Sequence, residues 1–149
     1  LMHPIEQQLQ RLRLQGVRHL VCLEEHCAYP ASAAQELGIS HYHYAVPDMA
    51  PPSFGQAVDM CRLLEPGIRA NEGIAMHCRG GLGRTGTGLG ALLIWFGDSA
   101  DDAIAKVRRA QPLAIQSLSQ TRFLHDFAER IRGWHPPVTP NKENIDVAR

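Results

Sequence analysis

A cysteine and an arginine six residues apart, with glycines packed between and after them, make the most chemically pointed stretch of this 149-residue chain: His77-Cys78-Arg79-Gly80-Gly81-Leu82-Gly83-Arg84-Thr85-Gly86. In a glycine-rich turn that opens a helix, successive backbone N–H groups converge on one point. The helix behind them adds roughly half a positive charge at its N-terminus. A cysteine at the base of such a cradle is favoured as the thiolate, the form that attacks. Arg84 stands on the rim with a planar fork that matches two oxygens of a tetrahedral anion. Nucleophile, N–H nest and guanidinium around one anion imply phosphoryl transfer through a cysteine.

The flanking elements must hold that turn. An apolar run, Gly73-Ile74-Ala75-Met76, reads as the strand that delivers Cys78, and residues 83–96 read as the helix behind the cradle. Its early glycines (Gly86, Gly88, Gly90) permit close approach to a sheet, and Leu92 to Phe96 bury it. Gly81-x-Gly83-x-x-Gly86 also satisfies the dinucleotide fingerprint, which needs a second parallel strand after the helix. A second helix pattern follows Gly97 instead, so that unit does not close. A buried cysteine beside a capping turn is the plainer alternative, but it leaves Arg84 and the glycines without a reason.

Expelling an alkoxide or phenolate needs a proton. Val46-Pro47-Asp48-Met49-Ala50-Pro51-Pro52 is a proline-stiffened loop between a strand and a helix, and it carries one carboxylate. Alone, Asp48 would read as a turn residue; beside the cradle it is the candidate general acid.

In chain order, residues 4–15 read as an amphipathic helix and residues 17–23 as a central parallel strand. Residues 31–37 read as a weak helix. Residues 39–45 read as a strand with Tyr42 and Tyr44 on one face and His41 and His43 on the other. Ser53 and Gln56 form a capping-box pair that opens a helix with Phe54, Val58, Cys61 and Leu64 on its apolar stripe, and Pro66-Gly67 is expected to end or kink it. Ser99 caps the next-to-last helix. Ser117 and Gln120 form a second capping-box pair before a stripe of Leu124, Phe127 and Ile131. Residues 1–132 are therefore expected to form one catalytic domain, and 133–149, rich in proline and polar residues, a flexible tail or linker.

His-Cys-x-x-Gly-x-Gly-Arg-Thr-Gly resembles the signature of the protein tyrosine phosphatase superfamily in its atypical dual-specificity branch, and Pro-Asp-x-x-Pro-Pro resembles that branch's acid loop. The resemblance implies a small α/β sandwich, a central parallel or mixed sheet with helices on both faces. It implies a cysteinyl-phosphate on Cys78, with the loop Arg79, Gly80, Gly81, Leu82, Gly83 and Arg84 holding the phosphate. Asp48 is then acid and afterwards base, and Thr85 donates to the Cys78 sulfur. His77 braces the loop through backbone hydrogen bonds. A glutamine at the place of Gln120 sits near the pocket in these enzymes, where it positions the hydrolytic water. The mechanism needs no metal and no cofactor. In that branch a strand or hairpin precedes the first helix, so the chain reads as shortened at its N-terminus.

The expected substrate is a phosphorylated protein or peptide, phosphotyrosine first and phosphoserine or phosphothreonine second. Arg79 is basic but Leu82 is not, which ranks an inositol lipid or an RNA 5′-phosphate end behind it. A non-catalytic phospho-residue binding module and a sulfurtransferase are the readings from other classes. Fifteen basic and fifteen acidic residues leave no net charge, so nothing global points to nucleic acid. No apolar run spans a bilayer, and a thiolate enzyme requires a reducing compartment, so a cytoplasmic location is expected. No pattern in the sequence sets an oligomeric state. Cys22, Cys27, Cys61 and Cys78 lack disulfide-framework spacing. Cys22-x3-His26-Cys27 offers three metal-ligand types without a fourth, a poor zinc pattern. Cys22 is a candidate resolving partner for an oxidised Cys78.

Overall fold

The computed structural model describes residues 4–80 and 82–132 and the backbone of 145–147. Helix α1 (Pro4–Leu14) leads through Gly16 (φ +96°) into β1 (Val17–Cys22). Then come α2 (Ala31–Gln35), β2 (Ser40–His43), α3 (Phe54–Arg69), β3 (Gly73–His77), α4 (Gly83–Trp95), α5 (Ala100–Ala110), α6 (Leu118–Ile131) and β4 (Ile145–Val147). Among the described residues the strands form one sheet in the order β2-β1-β3-β4, parallel throughout.

The period-2 alternation of β1 and β3 divides the molecule into two cores. Val21, Leu23, Ile74 and Met76 face a core built with α3, α4, α5 and α6, and Leu20 and Ala75 face a smaller one under α1 and α2. The expected sandwich is therefore the observed one. Helix α4 lies within the larger core, buried at every position from Gly83 to Trp95. Of its glycines, Gly88 meets the sheet: an added Cβ would lie 2.4 Å from Met76 Sδ. Gly86 and Gly90 instead let the 114–115 loop and Leu124 of α6 approach, which corrects the expectation that all three face the sheet.

Two expectations change. Pro66 does not end α3, which continues to Arg69. A proline near a helix end removes one N–H, and the last turn closes through Ala70, Asn71 and Glu72 N–H groups on the Pro66, Ile68 and Gly67 carbonyls. Gly67 serves close packing instead, because a Cβ there would lie 2.4 Å from His19 Nε2 of β1. Within the expected tail, Ile145–Val147 pairs with β3, Ile74 opposite Ile145 and Met76 opposite Val147. β3 would otherwise expose a row of unpaired backbone groups, and Ile145 and Val147 are β-branched residues suited to that place. The rest of the tail lies outside the described residues.

Candidate active site

The site sits at the carboxyl ends of the parallel strands, where β3 hands over to α4. Cys78 follows β3 directly and is 6% exposed. The chain turns through Gly80 at φ +72°, a left-handed conformation that a side chain would strain, and enters α4 at Gly83. Gly81, the remaining loop glycine, lies outside the described residues. From the first turn of α4, Thr85 Oγ1 donates to Cys78 Sγ at 2.9 Å, as expected. One turn of helix thus fixes nucleophile and hydroxyl together.

Arg84 is buried, and its guanidinium spans the cradle. Nη2 donates to the Arg79 carbonyl at 3.1 Å and Nη1 to the Val46 carbonyl at 3.0 Å. These two bonds fix the guanidinium and leave other N–H donors of the fork for a ligand. The bond to Val46 ties the arginine to the proline loop. Asp48 Oδ1, which accepts from the Met49 N–H at 2.9 Å, lies 3.8 Å from Arg84 Nη2. The structure therefore links Cys78, Thr85, Arg84 and Asp48 from three segments, with the carboxylate exposed beside Arg84.

Gln120 forms the expected capping box and lies against Gly83 of the loop. It is fully buried, and its Oε1 accepts from the Gln116 and Ser117 N–H groups at 2.8 and 3.0 Å. Its Nε2 donates to the Ala50 carbonyl at 3.2 Å. The side chain closes the capping box and ties the 46–52 loop to the start of α6, leaving one amide N–H without a bond to the backbone of the described residues. Ser117 Oγ adds a 2.7 Å bond to the Met49 carbonyl, with Ser119 Oγ 3.4 Å from the same oxygen. Gln120 also packs where a Cβ on Gly83 would be, touching the cradle from behind.

His77 braces the loop through a side chain rather than backbone: its Nε2 shares a hydrogen bond with the Tyr29 hydroxyl. Burial pushes the imidazole below its usual range, with Glu24 opposing and His43 adding to that shift. A neutral ring fits a brace. Arg79 sends its side chain away from the phosphate position to Glu24, Nε to Oε1 at 3.3 Å. Glu24, Tyr29 and Ser117 were not among the expected site residues. For Glu24 and Tyr29 the available signal was position, since the loop after a parallel strand opens on the ligand edge of the sheet. Burial pushes the Cys22 thiol up to about 12. All four cysteines are free.

Two clefts meet at Cys78 and Gly80. One, about 510 Å³, runs along α1 past Leu9, Leu12, Leu20 and Tyr29. The other, about 540 Å³, is lined by Leu82, Gln111, Pro112, Leu113 and Gln116.

Comparison with known proteins agrees with this geometry. The family described as "Polymorphic toxin system, DSP-PTPase phosphatase" matches residues 1–98. The chain belongs to this family of dual-specificity and tyrosine phosphatases. Cyclin-dependent kinase inhibitor 3 of Rattus norvegicus is 30% identical over 105 residues, covering 67% of this chain and 49% of the rat protein. Tyrosine-protein phosphatase cdcA of Emericella nidulans is 32% identical over 133 residues, 88% of this chain and 22% of that protein. The chain thus spans about half or less of these relatives. The crystal structure of Tk-PTP in its active form superposes with a TM-score of 0.77 at 30% identity, covering 87% of this chain and 89% of that one.

Proposed function

We propose that the protein hydrolyses phosphate monoesters on proteins, phosphotyrosine foremost, in two displacements. The convergence of Cys78, Arg84 and Asp48 at one mouth carries the reading. Cys78 sulfur attacks phosphorus in line while the bond to the leaving oxygen breaks, and Asp48 gives that oxygen its proton. The loop N–H groups and the remaining donors of the Arg84 fork hold the equatorial oxygens, where transition-state charge spreads. Asp48 then takes a proton from the water that displaces Cys78, and phosphate leaves. The Gln120 contacts support a part for it in holding the acid loop.

The paired clefts suit a peptide laid across the mouth with the phosphorylated ring pointing at Cys78. The Arg79–Glu24 pair argues against a polyphosphorylated inositol head group, because the second basic charge in the loop is already neutralised. Among the described residues no helix is long and apolar enough to cross a membrane. A thiolate mechanism places the reaction in a reducing compartment, such as the cytoplasm. The family's setting among polymorphic toxin systems makes the phosphoproteins of a target cell the first substrates to try.

Turnover of p-nitrophenyl phosphate by the wild-type chain, lost in Cys78→Ser, is the direct test; turnover by Cys78→Ser would sink the reading. Asp48→Ala should retain phosphopeptide binding while turning over slowly, and so capture phosphotyrosine proteins. Capture of lipid or RNA alone would reassign the substrate.

A further inference from the structure

On the sheet face covered by α1 and α2 lies a second group of reactive side chains, most of which the phosphatase chemistry leaves unused. The strand register assembles it. His43, Cys22 and His77 are direct partners across β2, β1 and β3, so in a parallel sheet their side chains stand in one row on one face. Glu24, two residues past β1, folds back over the row, and its Oε2 accepts from the Cys22 thiol at 3.7 Å. One donor atom each from Cys22, Glu24 and His77 lies within 4.8 Å of the other two. Cys22 is fully buried and Glu24 is 8% exposed. Cys27, from the loop after β1, stands beside this trio: its sulfur lies 3.8 Å from His41 Nε2, which is 3.2 Å from the Tyr29 hydroxyl that bonds His77. His26, which sequence spacing had grouped with the two cysteines, is exposed and takes no part.

We propose that Cys22, Glu24, His77 and Cys27 form a binding site for a thiophilic divalent cation, zinc in the first instance. Two sulfurs, an imidazole nitrogen and a carboxylate oxygen are donors that zinc accepts in closed four-coordinate sites, and the sulfurs select against magnesium. Donors at zinc distances of about 2.0–2.3 Å stand about 3.3–3.8 Å apart, so Cys22, Glu24 and His77, already within 4.8 Å of one another, contract by an ångström or less per donor, and Cys27, outside that trio, swings in from its loop as the fourth. The 510 Å³ cleft is lined by Glu24 and His77 and supplies the path in. Each thiol loses its proton to solvent as its sulfur lone pair bonds the cation, and nothing is oxidised or reduced. Binding draws Glu24 from Arg79 and His77 from Tyr29, the two anchors on the outer side of the phosphate loop.

The test is a titration of the reduced Cys78→Ser protein, which removes the nucleophilic thiolate as a competing ligand. Cobalt(II) should bind one ion per chain and give a thiolate-to-cobalt charge-transfer band. Zinc should displace it, and magnesium should not. On the same background Cys22→Ser, Cys27→Ser and Glu24→Gln should each weaken zinc by about a hundredfold or more. No band, or a band and zinc affinity that survive these substitutions, overturns the proposal. Should the buried Cys22→Ser fail to fold, the half-buried Cys27→Ser and the isosteric Glu24→Gln decide the matter alone.

Discussion

In the proposed double displacement, the hydrogen bond from Thr85 to Cys78 is expected to act on the two steps unequally. In the first step the sulfur gives up charge to phosphorus, and a donor on it helps little. In the second the sulfur departs as thiolate, and a hydroxyl at 2.9 Å stabilises the charge it regains. A hydrogen bond to an ionised group contributes about 1.5–3 kcal/mol, so Thr85→Ala should slow breakdown of the cysteinyl-phosphate by roughly 10- to 100-fold. Because kcat/KM reports only the first step, it should hardly change, while kcat and KM fall together. Rapid mixing with p-nitrophenyl phosphate should show a burst of nitrophenolate approaching one per enzyme. An equal fall in kcat/KM, without a burst, would place Thr85 in the first step instead. The contact itself was legible in the sequence, since a helix opening just past the loop returns its first turn to the cysteine. Glu24 was not: its meaning depends on Arg79, 55 positions away in the chain, turning outward rather than toward phosphate.

The N-terminus of α6 works as a clasp on the acid loop. Met49 holds φ at +66°, a conformation that costs a residue with a Cβ about 1–3 kcal/mol. Its carbonyl and that of Ala50 are held by Ser117 and Gln120, whose capping box would exist without them. The sequence shows the box and hides the clasp, because nothing in a local motif says which loop lies above it. Ser117→Ala should therefore weaken α6 by about 0.5–2 kcal/mol and also release Asp48 from its place. One lost bond of about 1 kcal/mol corresponds to about a fivefold loss of the closed loop. That loss should appear with phenyl phosphate, whose poor leaving group needs the acid, and much less with p-nitrophenyl phosphate. Ser99→Ala removes a comparable cap from α5, far from the loop, and should leave the ratio of the two substrates unchanged. Equal losses on both substrates in Ser117→Ala would mean that the serine is a cap and nothing more.

At the scale of the molecule, α4 carries the site on one end and the larger core on the other. The apolar runs of β1, β3 and α4 marked buried elements in the sequence, and the sandwich with helices on both faces followed from the family resemblance. What each α4 glycine touches was not readable, because that depends on the angles at which α6 and the 114–115 loop cross the helix. Gly88 is where this matters most. An added Cβ would lie 2.4 Å from Met76 Sδ and 3.1 Å from Leu23 Cδ1, in a core with no slack on the sheet side. Alanine normally favours a helix over glycine by about 0.8–1 kcal/mol, whereas overpacking a close-packed core costs about 1–3 kcal/mol. Met76 is flexible and relieves part of the clash, but Leu23 stands beside it on the neighbouring strand. Gly88→Ala should thus lower stability by about 1–2 kcal/mol, seen in a denaturant melt as a lower midpoint with an unchanged slope. Gly55→Ala in α3 is the internal reference, since its Cβ would meet nothing closer than Ser53 Oγ at 4.0 Å. That substitution should be neutral or stabilising. If Gly88→Ala behaves like Gly55→Ala, α4 can move off β3 without loss, and the close contact between helix and sheet is not what fixes the position of Cys78.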